Sequence, residues 1–244
     1  MSAGPRSGTV DLWKAGLSDV PPEVWHRTDL RVLILADNRL TGLPAAIGGL
    51  TRLHTLDLGH NRLTRLPGEI GELTGLSRFL YLHDNLLTEL PAALGRLTRL
   101  GYLNVGENRL VRLPAEIGGM TGLVEFRAQH NALARLPGTI GRLTGLRELW
   151  LRGNRLTGLP ASVAALRELR ELELRENALE TVPEALRALP RLRRIDLRGN
   201  RLRELPDWLG TLPALEKLDL RWMGFDLGHE GLRGLRERGC VVLT

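Results

Sequence analysis

Leucine and polar residues alternate in a fixed pattern along most of the chain. The pattern is Leu-x-x-Leu-x-Leu-x-x-Asn-x-Leu, as in the segments from Leu53 to Leu63 and, with one isoleucine, from Leu192 to Leu202. Successive side chains of a β-strand point to opposite faces, so Leu-x-Leu predicts a short strand that buries its leucines and exposes the x residues. We therefore expect one short strand in each copy of the pattern.

An asparagine follows each predicted strand and recurs every 23 or 24 residues, at Asn38, Asn61, Asn85, Asn108, Asn131, Asn154, Asn177 and Asn200. Its amide offers both donors and an acceptor, so stacked asparagines are expected to form a ladder that bonds the backbone of neighbouring coils. A proline then marks the expected start of a short helical turn. These prolines are Pro44, Pro67, Pro91, Pro114, Pro137, Pro160, Pro183 and Pro206. Because each coil buries its leucines only against its neighbours, the pattern predicts a single solenoid.

The two ends of the chain depart from the pattern. Residues 1–6 are expected to be disordered, and about ten coils fill residues 7–227, the first and last of them degenerate. Ala15 and Met223 stand at the asparagine position of those two coils. Residues 228–244 read as a cap, with a helix from Gly228 to Arg238 and then a strand that covers the open edge of the sheet.

Eight copies in phase resemble the leucine-rich repeat family over roughly residues 7–227. The segments from Leu43 to Leu53 and from Leu66 to Leu76 read Leu-Pro-x-x-Ile-Gly-x-Leu-Thr-x-Leu, which is similar to the intracellular Ras-group-related subclass. The resemblance implies an α/β solenoid, a horseshoe with a parallel sheet on the concave face and short helical or irregular turns on the convex face. It also implies a non-catalytic module that binds a protein on its concave face, such as a small GTPase or kinase in signalling.

The exposed x positions of the strands form parallel columns, and six of the ten aromatic residues fall in them. Aromatic side chains are not required there for packing within a coil, and they are frequent in protein-binding hot spots. The alternative is that the rings only pack on one another and cover the sheet. The predicted partner-binding residues are Phe79, Tyr81, Tyr102, Arg127, Trp150, Arg152 and Arg175.

The third repeat has one extra residue between Leu76 and Leu80, directly before the strand that carries Tyr81. A bulge at this point would re-aim Phe79 or Arg78 towards the concave opening. A neutral insertion in a loop is the other interpretation.

Opposed charges line the C-terminal strands. One column contains Arg152, Arg175, Arg198 and Arg221, and the column two residues earlier contains Glu173, Asp196 and Asp219. Neighbouring strands are about 4.8 Å apart, so these rows lie within reach of salt bridges. They predict either a self-neutralising ladder or a face that accepts a partner with matching rows of charge.

Composition narrows the function. Leucine accounts for 55 of the 244 residues, and the net charge of +6 is modest. Basic and acidic residues are interspersed, which argues against a nucleic-acid partner. No apolar run approaches the roughly 18 residues needed to cross a bilayer. The absence of a signal-peptide core in the first residues and the single cysteine, Cys240, favour the cytoplasm.

Catalytic interpretations find little support. Asp37, Asp57, His60, His83 and Asp84 come from three neighbouring coils and could approach one another, but they lack the local spacing of metal ligands. Cys240 is expected to be buried in the cap. Phe126 with Ala128 reads as a volume exchange within the core.

The sequence thus predicts a non-enzymatic, cytoplasmic, monomeric protein-binding solenoid without cofactor or metal. It predicts no nucleic-acid or membrane partner. The alternatives are a structural scaffold that self-associates and, with less support, a metal-dependent enzyme or a nucleic-acid binder.

Overall fold

The computed structural model describes residues 8–222 and 230–244 of the chain. The expected disordered start at 1–6, Met223 at the asparagine position and the boundary at 227/228 lie outside these described residues. Within them, no helix is long and apolar enough to cross a membrane.

Eleven three-residue strands form one open parallel sheet in which each strand pairs with the next along the chain. The strands are β1 Thr9–Asp11, β2 Val32–Ile34, β3 Thr55–Asp57, β4 Phe79–Tyr81, β5 Tyr102–Asn104, β6 Glu125–Arg127, β7 Glu148–Trp150, β8 Glu171–Glu173, β9 Arg194–Asp196, β10 Lys217–Asp219 and β11 Val241–Leu243. This arrangement confirms the predicted solenoid with its parallel sheet.

A five-residue 3-10 helix follows each of the first nine strands and forms the opposite side of the solenoid. These helices span Pro22–His26, Ala45–Gly49, Gly68–Glu72, Ala92–Arg96, Ala115–Gly119, Gly138–Arg142, Ala161–Ala165, Glu184–Ala188 and Asp207–Thr211. In the repeats, the proline precedes the helix instead of being its first residue. Pro67, for example, is extended at φ −68°, and its carbonyl accepts the N–H of Ile70 at 3.1 Å.

The C-terminal residues close the last coil. An α-helix, α1, spans Glu230–Glu237 and packs against the 3-10 helix Asp207–Thr211 and against β11. It ends one residue before the expected end at Arg238, and the first two residues of the expected helix, Gly228 and His229, lie outside the described residues. The strand β11 pairs with β10, so it covers the sheet edge as expected.

One continuous hydrophobic core runs the length of the solenoid between the sheet and the 3-10 helices. The central residue of each strand from β2 to β10 is buried, and Phe126 takes the place that leucine holds in β5 and β7. Ala128 is also completely buried two residues further on. A large ring beside a small methyl group keeps the total core volume close to that of two leucines.

The asparagines connect each coil to the preceding one. Asn61 donates to the carbonyl of Leu35 at 3.0 Å and to that of Leu58 at 3.1 Å, while its Oδ1 accepts the N–H of Leu40 at 3.0 Å. The same pattern of bonds repeats at all eight positions from Asn38 to Asn200. Each amide therefore satisfies backbone groups of two coils that would otherwise be buried without partners.

The residue directly before each asparagine adopts the left-handed conformation. Its φ lies between 50° and 64° in every repeat, and only Gly153 and Gly199 are glycines at this position. Their backbone makes the sharp turn that directs the asparagine side chain back into the solenoid.

Candidate functional site

Three aromatic side chains on neighbouring strands form a cluster on the outward face of the sheet, which we call the aromatic patch: Phe79, Tyr81 and Tyr102. The ring centroids of Phe79 and Tyr81 are 5.7 Å apart and nearly parallel. Tyr102 lies 5.6 Å from Phe79 and 5.1 Å from Tyr81. These are favourable distances for aromatic pairs, so the patch is preorganised. Phe79 still leaves 39% of its surface exposed.

The extra residue of the third repeat does not produce a bulge in the strand. Phe79 pairs with Thr55 on one side and with Tyr102 on the other, in the regular register of the sheet. Arg78 and Phe79 both donate to the carbonyl of His54, so the added length lies in the loop before β4. Phe79 reaches the sheet face because it occupies an ordinary outward position.

Arg127 connects the aromatic patch to Trp150. Its guanidinium carbon lies 5.7 Å from the ring centroid of Tyr102 and 4.9 Å from that of Trp150, both within cation–π range. A salt bridge to Glu125 holds the guanidinium in place, and the indole N–H of Trp150 donates to Glu148 at 3.2 Å. Five of the seven predicted binding residues therefore form one continuous surface across β4 to β7.

Burial alters the acidity of the two tyrosines. It raises the pKa of Tyr81, and the nearby carboxylate of Asp57 raises it further. Burial also raises the pKa of Tyr102, against the opposing charge of Arg127. Both hydroxyls therefore stay protonated at neutral pH and can donate hydrogen bonds from a largely aromatic surface.

The other two predicted residues lie apart from the patch. Arg152 and Arg175 both bind Glu176, with N–O distances of 3.3 and 2.8 Å. Arg175 also stacks on Trp222, its guanidinium carbon 4.8 Å from the ring. Glu176, which directly follows Arg175 in the left-handed turn, accepts hydrogen bonds from both arginines.

The charge rows on β9 and β10 are largely self-neutralised. Arg198 donates from Nε to Asp196 at 2.9 Å and lies 3.4 Å from Asp219, which also binds Arg221 at 2.8 Å. The two nearby guanidinium groups hold the pKa of Asp219 below its usual value although the side chain is buried. These contacts favour the self-neutralising interpretation for β9 and β10.

Glu173 on β8 differs from these neighbours. Within residues 8–222 and 230–244 it has no ion pair, and it accepts a hydrogen bond from the backbone N–H of Arg175 at 3.2 Å. Burial and the nearby charge of Asp196 raise its pKa to about 7. It faces an open depression of about 240 Å³ across β7 to β10, with Trp150 at one wall.

The histidines and acids of the earlier coils are only partly brought together. His60 Nδ1 lies 2.6 Å from Asp84, and the rings of His60 and His83 make an edge-to-face contact at 4.7 Å. Burial lowers the pKa of His83, which favours its neutral form. In the part of the chain that the structure describes, no three His, Cys, Asp or Glu side chains are placed to hold a metal ion.

Cys240 is buried in the C-terminal region, and burial raises the pKa of its thiol. A thiol with a raised pKa is a poor nucleophile at neutral pH, because little thiolate is present.

Comparisons with known proteins agree with the repeat architecture. A family model described as Leucine rich repeat matches residues 144–202, and one described as Leucine Rich repeats (2 copies) matches residues 28–74. No curated protein is significantly similar in sequence.

Solved structures of similar fold come from bacteria and plants. An LRR protein of Leptospira interrogans has a TM-score of 0.74 and 27% identity, with 88% of this chain and 66% of that chain covered. The plant peptide hormone receptor RGFR1 in complex with RGF2 has a TM-score of 0.73 and 32% identity, with 83% and 34% covered. The PEPR1–AtPEP1 complex has a TM-score of 0.72 and 32% identity, with 83% of this chain and 29% of that chain covered. The chain thus spans between 29% and 66% of the length of these proteins.

Proposed function

Since the chain is a leucine-rich repeat protein, we propose that it is a non-catalytic interaction module that binds a protein partner on the outward face of its sheet. The observation that carries the proposal is the aromatic patch of Phe79, Tyr81 and Tyr102, extended by Arg127 to Trp150. The partner segment lies across strands β4 to β7 in this proposal.

The composition of the surface supports this function. Rings on the outward face add nothing to the leucine core below them, yet three are clustered and remain accessible. Tyrosine, tryptophan and arginine are the residues most often found at interface hot spots, because they combine a large apolar area with a polar end. The plant peptide hormone receptor RGFR1 was solved in complex with RGF2, and PEPR1 was solved with AtPEP1, which is in keeping with a peptide or protein partner.

Selection of peptides from a display library on the purified protein tests the proposal. We expect the selected peptides to bind the wild-type protein at least about tenfold more tightly than they bind a Tyr81→Ala/Tyr102→Ala double variant. The reason is that truncation of a hot-spot residue costs about 2 kcal/mol or more. Val111→Ala is the matched control, because Val111 is an exposed apolar residue in a loop outside the strands. Binding that survives in a folded double variant would refute the aromatic patch as the binding surface.

The identity of the partner rests on the tail motif alone. Resemblance to the Ras-group-related subclass makes a signalling protein, such as a small GTPase or kinase, the partner class we propose, and a reducing cytoplasmic setting is compatible with the single buried thiol of Cys240. We also propose that the protein acts as a monomer. Light scattering that shows association at micromolar concentration would instead favour a self-assembling scaffold.

A further inference from the structure

We propose that the depression beside Trp150 is a pocket for a cationic side chain, an arginine or lysine of the bound partner, and that Glu173 is its counter-ion. The pocket adjoins the surface assigned above and therefore rests on the proposed function. It adds the chemistry of the partner, which must carry a positive charge next to the segment that covers the aromatic patch.

Among the described residues, the depression contains one unpaired carboxylate beside paired ones. Four acidic and three basic side chains line the depression. Glu171 binds Arg194 at 2.9 Å, and Asp196 and Asp219 share Arg198. Of the four acids, Glu173 alone has no cation within salt-bridge distance among the residues that the structure describes.

Within the described part of the chain, Glu173 lacks an ion-pair partner because the arginine on its own strand binds another carboxylate. On β9 and β10 the arginine two residues after the acid folds back onto it, as Arg198 does on Asp196. On β8 the corresponding arginine, Arg175, binds Glu176 instead, at 2.8 Å. The equivalent position in the neighbouring coils is Gly153 or Gly199, so this competing carboxylate occurs on β8 and leaves Glu173 free for an external cation.

The charges around Glu173 also favour an entering cation. The charged groups that face Glu173 are Arg152 from the end of β7, Asp196 and Arg198 from β9, and Arg175 on its own strand. The arginines are already engaged with other carboxylates, whereas burial and Asp196 raise the pKa of Glu173 to about 7. An entering cation therefore favours the ionised form and displaces a proton to solvent.

The walls of the depression fit a long cationic side chain. Trp150 lines it, and the contact with Arg127 at 4.9 Å shows that its ring already accepts a guanidinium. Lys217 lies at the far side, two strands from Glu173, where its side chain is exposed to solvent and its repulsion is screened.

The position of the pocket sets the spacing of the partner. Three strand spacings, about 14 Å, separate the strand of Tyr102 from that of Glu173. An extended peptide covers this distance in about four residues. Peptides that bind the aromatic patch are therefore expected to carry arginine or lysine about four residues from the residue that contacts Tyr102.

A titration with a small probe tests the pocket by itself. N-acetyl-arginine methylamide supplies the cation, and the neutral isostere N-acetyl-citrulline methylamide is its control. The readouts are the side-chain carboxyl resonance of Glu173 and the indole resonance of Trp150. We expect saturable shifts with the arginine probe, a fall in the pKa of Glu173 when it binds, and no such fall with citrulline.

The pH dependence gives a second readout. With a pKa of about 7 the ionised fraction of Glu173 rises about tenfold between pH 6 and pH 8, and affinity for the arginine probe is expected to rise by the same factor. Glu173→Gln should weaken binding about tenfold at pH 8 and abolish the pH dependence. Glu69→Gln, an exposed carboxylate on the helical side, should change neither.

Equal affinity for arginine and citrulline probes, or wild-type affinity in Glu173→Gln, would overturn the pocket. These outcomes are separable from those of the proposed function. If no peptide binds the aromatic patch but the arginine probe still binds, the proposed binding face is wrong and the pocket stands. If peptides bind tightly without a basic residue and with equal affinity to Glu173→Gln, the pocket is wrong and the binding face stands.

Discussion

Removal of one asparagine of the ladder should cost far more stability than removal of an equally buried asparagine outside it. Asn154 is 8% exposed; it donates to the carbonyls of Ala128 and Leu151, both at 2.9 Å, and accepts the N–H of Leu133 at 3.0 Å. Three hydrogen bonds contribute about 1 kcal/mol each, and the N–H of Leu133 left without an acceptor adds a further 1 kcal/mol or more. We expect Asn154→Ala to lower the free energy of unfolding by about 4 kcal/mol.

Asn104 provides the matched control because it is also buried, at 7% exposed, and its Oδ1 accepts one local bond from the N–H of Gly106 at 3.0 Å. Asn104→Ala should cost about 1 kcal/mol. Urea unfolding followed by far-UV circular dichroism measures both values, and hydrogen exchange at the Leu133 amide shows whether Asn154→Ala frees that particular group. If the two substitutions cost the same within about 1 kcal/mol, the ladder does not stabilise the stack of coils as described.

Three further predictions concern single sites. Glu173 has a folded pKa of about 7 against an ordinary 4.5, so the folded state binds more protons between these values and wild-type stability falls as pH rises through them. Glu173→Gln should therefore match the wild type at pH 4 and exceed it by roughly 1–2 kcal/mol at pH 8 in chemical unfolding, because solvent screening of the partly exposed carboxylate reduces the full effect of the shift; parallel pH profiles would contradict this. Gly141→Ala places a Cβ 2.3 Å from a carbonyl oxygen of the next coil and should cost about 1–3 kcal/mol, whereas Gly138→Ala meets open space and should be neutral or slightly stabilising in thermal melts. Tyr81 and Tyr102 are the two tyrosines of the sequence, so absorbance at 295 nm should show both titrating at higher pH in the folded protein than after denaturation.

The strands and the continuous core could be predicted because their signal is periodic. Alternation of leucines at Leu56 and Leu58 fixes which side chains enter the core, and the recurrence of asparagine fixes the length of each coil. A solenoid repeats one local packing problem, so a pattern of about 23 residues is sufficient to specify the whole sheet. The aromatic patch follows from the same register, because Phe79 and Tyr102 are aligned by it.

Residue type signals the left-handed turn before each asparagine only in part, because six of the eight positions hold aspartate, histidine or glycine and the other two hold glutamate. His60, Glu107 and Glu176 adopt it although none is glycine, with φ between 53° and 56°. The left-handed conformation costs about 1–2 kcal/mol per position. The hydrogen bonds that the following asparagine makes with two coils outweigh this cost. At Glu107 and Glu176, tertiary structure thus imposes a conformation that the residue type does not favour.

The arrangement of charges was predictable only in part. The columns of Arg152 and Arg175 suggested that these arginines extend the aromatic surface, but Glu176 draws both of them away. Which of several acids an arginine selects depends on distances of a few tenths of an ångström and on side-chain direction, and column positions carry no such information. The unpaired state of Glu173 is a consequence of that competition.

Site-specific photo-cross-linking tests the central claim that a partner binds the sheet face. A photoreactive phenylalanine analogue, which keeps an aromatic ring in the patch, is placed at Tyr102 on the sheet or at Glu116 on the 3-10 helix of the same coil, which is exposed on the opposite side. The two variants are irradiated in native lysate, and cross-linked products are identified by mass spectrometry. The account predicts a discrete cross-linked partner from position 102 and none from position 116. Cross-linking of the same partner from position 116 alone, or equally from both positions, would contradict it.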